Sequence, residues 1–456
     1  MDEIVSLTKR RGFIYQTSDI YGGLANGYDY GPLGVELLRN IKQLWWKRFI
    51  HTRKDMVGLD SQIILHPKTW EASGHVGSFA DVVVEDTVTH KRYRADHLIE
   101  GFISQIDELS YVKTEEMNVD EMADFINKYK ILSPDGNPVS ETKQFDLLMK
   151  THLGSLAGEK DTVYLRGETA QGIFTNFKNV LDSTRVKLPF GIGQIGKSFR
   201  NEITLGQYIF RTFEFEQGEI EYFFDPETDD PKILLDQWKN AMWQFAVKDL
   251  GISEENLRWR RHTDAERSHY STDTYDLDYR FPFGWKELWG VAYRTDYDLK
   301  QQMKHSGVDL RYTDPHTQKK FIPHVIEPAV GINRLLFMVL CDSFHSEENR
   351  TVLKMKPSIA PYTIAVFPLV ANKPDLVKYA ESVFTDLSTQ FHVYWDDRGN
   401  IGKRYKYQDE VGTPFCVTID YESLENQTVT VRDRDTMEQE RITITDIASH
   451  ISKHIR

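Results

Sequence analysis

The residues able to do chemistry gather in two stretches. One is Phe199-Arg200-Asn201-Glu202, followed by Phe210-Arg211 and by Phe213-Glu214-Phe215-Glu216-Gln217-Gly218-Glu219; the other runs from His324 through Glu327, Ala329 and Gly331 to Arg334. On adjacent antiparallel strands, Arg200 and Arg211 can clamp a polyphosphate, because a guanidinium is always charged and offers its donors in a planar fork. Glu202 lies on the same strand face as Arg200, where it can accept a hydrogen bond from an adenine amino group. Phe215 offers a ring on which a purine can stack. Gly331 lets a backbone approach a ligand closely, and Arg334 opens the helix that follows. Each element alone has a plainer reading: a surface cross-strand pair, a core phenylalanine, a helix start. Only their ordered combination points to a ligand.

Such side chains need a rigid sheet to hold them. From about 160 to 340 short runs alternate apolar and charged residues, and 213–224 in particular predicts a half-buried antiparallel strand ended by Asp225-Pro226. The stretch from Tyr21 to Gly34, rich in glycine, reads as a loop. Behind it, Leu37, Leu38, Ile41, Leu44 and Trp45 fall on one helical face. Residues 98–150 change character and read as a helical insertion closed by a turn at Ser133-Pro134-Asp135-Gly136. A boundary falls at Pro357 to Pro361. After it come a strand (363–369), a helix (374–390), a strand (392–395), a loop, and strands at 415–419 and 428–431, an α/β domain. The expected organisation is therefore 1–356, interrupted by 98–150, and 357–456.

Composition narrows the class. The 456 residues hold 25 Phe, 22 Tyr and 9 Trp, enough aromatic bulk for a sizeable core and against disorder. No run of apolar residues is long enough to span a membrane, and the opening Met1-Asp2-Glu3-Ile4-Val5 is unlike a signal peptide, so a soluble, cytoplasmic chain is expected. Cys341 and Cys416 are the only cysteines, which allows neither a disulfide framework nor a Cys-based zinc site; no zinc is expected. The 56 Lys and Arg against 69 Asp and Glu give a net charge of −13, which does not announce a nucleic-acid binder. A basic groove can still exist on an acidic body. No Gly-x-x-x-x-Gly-Lys-Ser/Thr phosphate loop occurs.

Gly31-Pro32-Leu33-Gly34, Phe199-Arg200-Asn201-Glu202 and Gly331-Ile332-Asn333-Arg334 resemble motifs 1, 2 and 3 of class II aminoacyl-tRNA synthetases. Trp70-Glu71-Ala72-Ser73-Gly74-His75, Arg94-Ala95-Asp96-His97, Glu168-Thr169-Ala170-Gln171-Gly172, Arg294-Thr295-Asp296-Tyr297-Asp298 and His324-Val325-Ile326-Glu327-Pro328 narrow the resemblance to the homodimeric type of glycyl-tRNA synthetase. The resemblance implies an α+β fold: a class II antiparallel sheet flanked by helices, with a C-terminal α/β anticodon-binding domain. It implies a ligase that activates glycine with ATP and Mg²⁺ and passes it to tRNA(Gly), a homodimer with no membrane association. Arg200 would hold the α-phosphate, Glu202 the adenine, Phe215 the adenine face, and Arg211 and Arg334 the distal phosphates, with Arg200, Glu202 and Arg334 as the catalytic set. Asn201, Phe210, Glu287, Leu288 and Gly331 would complete the ATP site, Glu287 also meeting Mg²⁺. Arg94, Glu168, Phe215, Glu219, Arg294, Glu327 and Gly331 would line the glycine pocket. In that family the helix behind the motif 1 loop lies at the subunit interface.

Some positions depart from the family pattern. Gly167 stands where Pro is usual, Ala329 where Ser is usual, Phe213 where Arg is common and Gly218 where Met is common, and the motif 2 loop carries Leu205-Gly206-Gln207. Two rival readings of the whole chain stay open at this level. One is a non-catalytic relative, such as an accessory subunit of a mitochondrial DNA polymerase. The other is a paralogue that hands glycine to a different acceptor. The retained Arg200, Glu202, Glu219, Glu327 and Arg334 weigh against the first; Arg432 and Arg434, as part of a complete C-terminal domain, weigh against the second.

Overall fold

The computed structural model describes every residue except 79, 107, 108, 110, 111, 113, 115, 116, 155–160, 203–206, 264–270 and 456, and only the backbone of 77, 78 and 80. The Leu205-Gly206 part of the motif 2 loop thus lies outside the described residues. The centre is a seven-stranded sheet made of β1 (Met56–Gly58), β2 (Phe190–Phe199), β3 (Glu214–Phe224), β4 (Leu257–Arg261), β5 (Asp273–Phe281), β6 (Gly284–Thr295) and β7 (His324–Gly331). They lie in the order β4-β5-β6-β7-β3-β2-β1, antiparallel throughout except for the short edge strand β1, which runs parallel to β2. Helices α1 (Pro32–Trp46), α2 (Ala170–Ser183), α3 (Pro231–Gln244), α4 (Tyr297–Ser306) and α5 (Ile332–Ser343) flank it.

Helix α1 begins at Pro32, inside the stretch read as a loop to Gly34, and Tyr28–Tyr30 of that stretch pairs as a strand with Ile14–Gln16. Gly31 takes an extended conformation at the cap and Pro32 the first helical position, where its missing N–H leaves nothing unpaired. Its apolar face, expected at a subunit interface, is instead buried inside the same chain: Leu37, Ile41 and Trp45 are wholly enclosed. Trp45 packs on Phe49 at 5.4 Å between ring centres, and Phe49 in turn meets Trp289 at 5.5 Å and Phe245 at 5.3 Å. Burying one such side chain contributes roughly 1.5–3 kcal/mol. Leu44, on the same face, is partly buried against this core.

Strand β3 also differs from expectation. Instead of one wet face, every residue from Gln217 to Phe224 is buried. Ile220, Tyr222 and Phe224 enter the core that holds α1, whereas Phe223 joins a second cluster with Phe174 and Phe177 of α2. Helices cover both sides of the sheet. The polar residues that alternate along β3 therefore face an enclosed polar site rather than water.

A small unit surrounds the predicted insertion. Its helices Ala95–Ile103 and Val119–Tyr129 pack on a three-stranded sheet of Ala80–Glu85, Arg92–Arg94 and Lys143–Asp146, around Val84, Ile99, Met122 and Ile126. The unit therefore reaches back to Ala80, before residue 98, because the strands at 80 and 92 have their hydrogen-bonding partners within it.

Beyond Pro357 a separate sheet orders β8 (Ile364–Pro368), β9 (Val393–Trp395), β10 (Phe415–Ile419), β11 (Thr428–Asp433) and β12 (Gln439–Thr443) as β9-β8-β10-β11-β12, parallel on the β9-β8-β10 side. Helices α6 (Pro374–Ser388), α7 (Ile401–Val411) and α8 (Ile447–Ile455) accompany it. Helix α7 occupies the segment read as a loop. It buries Arg404, Gln408, Asp409 and Glu410 beside Val411, so polar residues dominate its inward face. Many contacts cross into this unit. Arg350 and Arg432 both hold Asp409, at 3.1 and 2.8 Å, and Arg434 donates to the carbonyls of Met355 and Gly412, each at 2.7 Å. Among the described residues no helix is long and apolar enough to cross a membrane.

Candidate active site

The N-terminal half of β3 and the C-terminal end of β7, with β6 beside them, floor a cavity of about 260 Å³. Its lining includes Glu168, Arg200, Glu202, Phe210, Arg211, Phe215, Glu219, Glu287, Glu327, Gly331 and Arg334, so eleven of the residues singled out in the sequence meet in one place. One end is basic and the other acidic.

At the basic end, Arg200 donates through Nε to the Gly167 carbonyl at 3.0 Å, and its guanidinium carbon lies 5.5 Å from the centre of the Phe215 ring. Arg211 approaches Glu202 at 3.7 Å. Arg334, at the start of α5, donates to the carbonyls of Phe210 and Glu287 at 3.3 and 3.1 Å and lies over the Phe210 ring, its guanidinium carbon 4.3 Å from the ring centre. Burial pulls this guanidinium below its ordinary value; Glu287 opposes, and the positive charges of Arg211 and Arg200 add to the fall. Three positive charges are thus held together at this end, with Glu202 and Glu287 beside them. A Cβ at Gly331 would lie 3.4 Å from Cγ and Cδ of Arg334, so the missing side chain leaves room for that arginine. Gly218, which departs from the family pattern, is explained by its surroundings: a Cβ there would come within 3.1 Å of Trp45 and of Ile332.

At the acidic end, each carboxylate is held by designated donors. Glu219 accepts from the Thr169 N–H at 2.7 Å, from the Thr169 hydroxyl, and from Gln217 at 2.8 Å. Glu168 faces His75 Nε2 at 3.4 Å and accepts from Gln171 at 3.2 Å. Arg294 donates through Nη1 to both oxygens of Glu327, at 2.9 and 2.8 Å, and through Nε and Nη2 to Asp298, at 2.8 and 2.9 Å. This clamp depends on Thr295, whose φ of 57° turns the chain sharply from β6 into α4 and returns Asp298 beneath Arg294. Burial works to raise Glu168, yet the charge of His75, with Arg294 and Arg200 behind it, holds it far below the carboxylate range. Glu219 is pushed up by burial and by the negative charge of Glu168, against the pull of the Thr169 donors. Burial raises Glu327 to about 8 against the pull of Arg294, with Glu219 and Glu168 adding to the rise.

Four of the singled-out residues lie off the cavity wall. Arg294 reaches it only through Glu327. Leu288 is buried in the core beneath. Asn201 donates its N–H to the Leu147 carbonyl at 2.8 Å, tying the motif 2 strand to the small unit. Arg94 belongs to that unit and pairs with Asp96 and Asp81 at 2.5 and 3.2 Å, close enough to Glu202 to feel its charge. Conversely, Thr212, Gln217 and Asn333 line the cavity without having been foreseen. Gln217 shares the alternation of Glu219 and was legible for that reason. Asn333, whose amide oxygen accepts from the Glu216 N–H at 2.6 Å and whose amide nitrogen donates to the Tyr30 hydroxyl, depends on three distant segments meeting. Ala329 pairs in register with Glu219 on one side and Gly290 on the other, so two small side chains lie beside the acidic end.

In the C-terminal unit, Arg404, Arg432 and Arg434 are held internally. Arg404 is enclosed and donates to the carbonyls of Pro368, Arg398 and Gly399, while Arg432 and Arg434 belong to the seam between the units. Lys403 and Lys406 remain exposed on α7.

Residues 155–343 match the tRNA synthetase class II core domain (G, H, P, S and T), and residues 363–454 match the anticodon binding domain. The chain is 48% identical over 467 residues to the glycine–tRNA ligase of Caldanaerobacter subterraneus subsp. tengcongensis, covering 100% of this chain and 98% of that one. It is 47% identical over 466 residues to the glycine–tRNA ligase of Staphylococcus haemolyticus, covering 100% and 99%. Among solved structures it resembles the prolyl-tRNA synthetase of Cryptosporidium parvum complexed with halofuginone and AMPPNP, with a TM-score of 0.65 and 14% identity over 99% of this chain and 76% of that one, a likeness of fold.

Proposed function

The chain belongs to the glycine–tRNA ligase family of class II aminoacyl-tRNA synthetases, and from that premise we infer how its residues divide the work. The chain is an ATP-dependent ligase that activates glycine as glycyl-adenylate and transfers it to tRNA(Gly). Full-length similarity to these ligases disfavours both a non-catalytic accessory subunit and an enzyme serving another acceptor. In the first half-reaction the glycine carboxylate attacks the α-phosphate and pyrophosphate leaves. In the second, a ribose hydroxyl of the tRNA end attacks the carbonyl and AMP leaves.

The observation that carries our assignment is the division of the cavity into a basic and an acidic end. Arg200, Arg211 and Arg334 at one end suit a triphosphate; Glu168, Glu219 and Glu327 at the other suit an ammonium. Arg200, placed between them, stabilises the charge that develops on the α-phosphate, and Arg211 and Arg334 hold the distal phosphates. Glu202 and Phe215 take the adenine by hydrogen bond and by stacking, with Phe210 supporting Arg334 from below. Glycine has no side chain to grip, so the pocket must use its ammonium and its lack of bulk. Three carboxylates meet both needs, binding the cation and filling the space that a larger side chain would take. No protein nucleophile is required; the chain supplies position and charge.

The class as a whole uses Mg²⁺ with ATP. Among the described residues no group of three or more His, Cys, Asp and Glu is placed to hold an ion by itself. That suits Mg²⁺, which is usually bound by one or two carboxylates and by the phosphates of its substrate. Glu287, exposed beside Arg334, would hold it, and the ion when bound neutralises phosphate charge. Residues 1–356 form the catalytic part and 357–456 the part that reads the tRNA anticodon. We place the protein in the cytoplasm as a homodimer. Ile20, Tyr21 and Leu24, exposed together in the loop ahead of α1, support the dimer as the apolar surface a second copy would cover.

The test is pyrophosphate exchange with each amino acid, with and without tRNA, on the parent and on Arg200→Ala. Exchange should depend on glycine, and the variant should lose on the order of 10²–10³ in rate with its fold intact. Exchange within threefold of the parent would remove Arg200 from the catalytic set.

A further inference from the structure

Glu221 is the one member of the acidic row to which no role has been given. Gln217, Glu219 and Glu221 alternate along β3 and share a face, and the first two line the cavity. Glu221 lies one step deeper, is 0% exposed, and among the described residues neither of its carboxyl oxygens has a hydrogen-bond partner. The antiparallel register that pairs Glu219 with Ala329 and Tyr222 with Ile326 brings Glu327 opposite Glu221. Directly opposed side chains in such a pair have Cβ atoms only about 4.5–5.5 Å apart.

The charges around this pair do not balance if every carboxyl is ionised. Arg294 already faces two carboxylates, Asp298 and Glu327, with two hydrogen bonds to each. Glu219 adjoins on the same strand, and β2 presents Ile192 opposite Glu221, an apolar neighbour. One step further along the same face the cluster of Phe223, Phe174 and Phe177 begins. A carboxyl with no donor in so dry a place keeps its proton, and when two carboxyls share a site one of them is held neutral.

We propose that the Glu221–Glu327 pair holds a proton in the empty pocket and releases it when the glycine ammonium enters, so that glycine binding is coupled to proton release. The proposal rests on the assignment of the acidic end to glycine. The step balances: one carboxyl O–H of the pair breaks, its proton passes to solvent, the ammonium keeps all its protons, and the net charge of the site is unchanged. Glu221 is a positioning residue in this scheme. Its neutral carboxyl lets Glu327 turn to Arg294 without a second buried anion beside it. The electrostatic surroundings agree. Burial lifts Glu221 well above the carboxylate range, Glu327, Asp298 and Glu219 push the same way, and Arg294 opposes. Because the two carboxyls are coupled, the released proton belongs to the pair.

The decisive measurement is calorimetric titration of the full chain with glycine at pH 7.5, in phosphate and in Tris, whose ionisation heats differ. The dependence of the binding heat on the buffer gives the proton count, expected at roughly 0.5–1 released per glycine. Because binding expels a proton, the glycine KM should fall as pH rises from 6 to 8, by up to about tenfold per unit, while kcat changes less. Glu221→Gln mimics the neutral carboxyl and cannot titrate. It should fold, release fewer than about 0.2 protons, and show a flattened KM profile. Heats independent of buffer in the parent would overturn the coupling, whether or not the variant folds. A Glu221→Gln protein that releases as many protons as the parent would overturn the role of Glu221. A Glu219→Gln protein with the parent's glycine KM would instead overturn the pocket assignment itself.

Discussion

Replacing Arg294 by lysine keeps the charge and removes the fork, which makes it a sharp probe of how the acidic end is held. Among the described residues Arg294 makes two hydrogen bonds to Asp298 and two to Glu327, and all three side chains are almost fully buried. A lysine ammonium is a single point with three donors and cannot bridge two carboxylates that meet different edges of one planar fork. It can satisfy one of them. The other is then a buried anion without its partner, a change that costs about 3–5 kcal/mol. The loss should appear in denaturant unfolding followed by tryptophan fluorescence, as a lower midpoint with an unchanged slope. The pH dependence has a defined sign. The stranded carboxyl, raised in the folded state above its unfolded value, keeps a proton that the unfolded chain releases as pH rises. The defect should therefore grow as pH increases from the ordinary carboxylate range towards 8 and shrink on acidification. The glycine KM should rise at least tenfold, about 1.4 kcal/mol, because Glu327 is no longer aimed, whereas the ATP KM should change little. Stability within about 1 kcal/mol of the parent at pH 8, or a defect that grows on acidification, would refute the reasoning.

Further outcomes follow from other parts of the structure. Ala329→Ser places a hydroxyl beside Glu219 and Gly290, and should lower misactivation of alanine relative to glycine; a methyl is worth only about 1–3 kcal/mol in discrimination, so a change of a few-fold is expected in parallel exchange assays, and an unchanged or poorer ratio would rule it out. Asp409→Ala takes from Arg432 its carboxylate partner and from Arg350 one of two, and should destabilise by about 3–5 kcal/mol, splitting a single unfolding transition into two by calorimetry; one unshifted transition would contradict it. Lys403→Ala with Lys406→Ala should weaken tRNA charging and reduce the salt slope of tRNA binding by about one for each lysine, while glycine-dependent exchange persists; undiminished charging would deny α7 a place in tRNA contact.

The sequence by itself made legible those residues whose chemistry is local and whose spacing is regular. Arg200, Glu202, Arg211, Phe215, Glu327 and Arg334 stand in short ordered motifs, and the first strand and helix of the C-terminal unit follow the periodicity of their apolar residues. The tertiary structure decided what depends on which surfaces meet. Whether the apolar face of α1 turns inward or towards a partner is invisible to a helical pattern, since both settings demand the same residues; only the packing of Trp45 and Phe49 against Trp289 and Phe245 shows that it turns inward. Helix α7 escaped because its buried side is polar: Arg404, Gln408 and Asp409 face carbonyls and counter-charges rather than a hydrocarbon core. Arg432 and Arg434, two more charged residues in a linear reading, are likewise internal ties. The proton-holding position of Glu221 is the clearest case. Along β3 it is one more charged residue in an alternating strand. Its character comes from a register that sets it opposite Glu327, a neighbouring arginine already shared by two carboxylates, and helices that exclude water from both faces of the sheet, and none of these is a property of the strand alone.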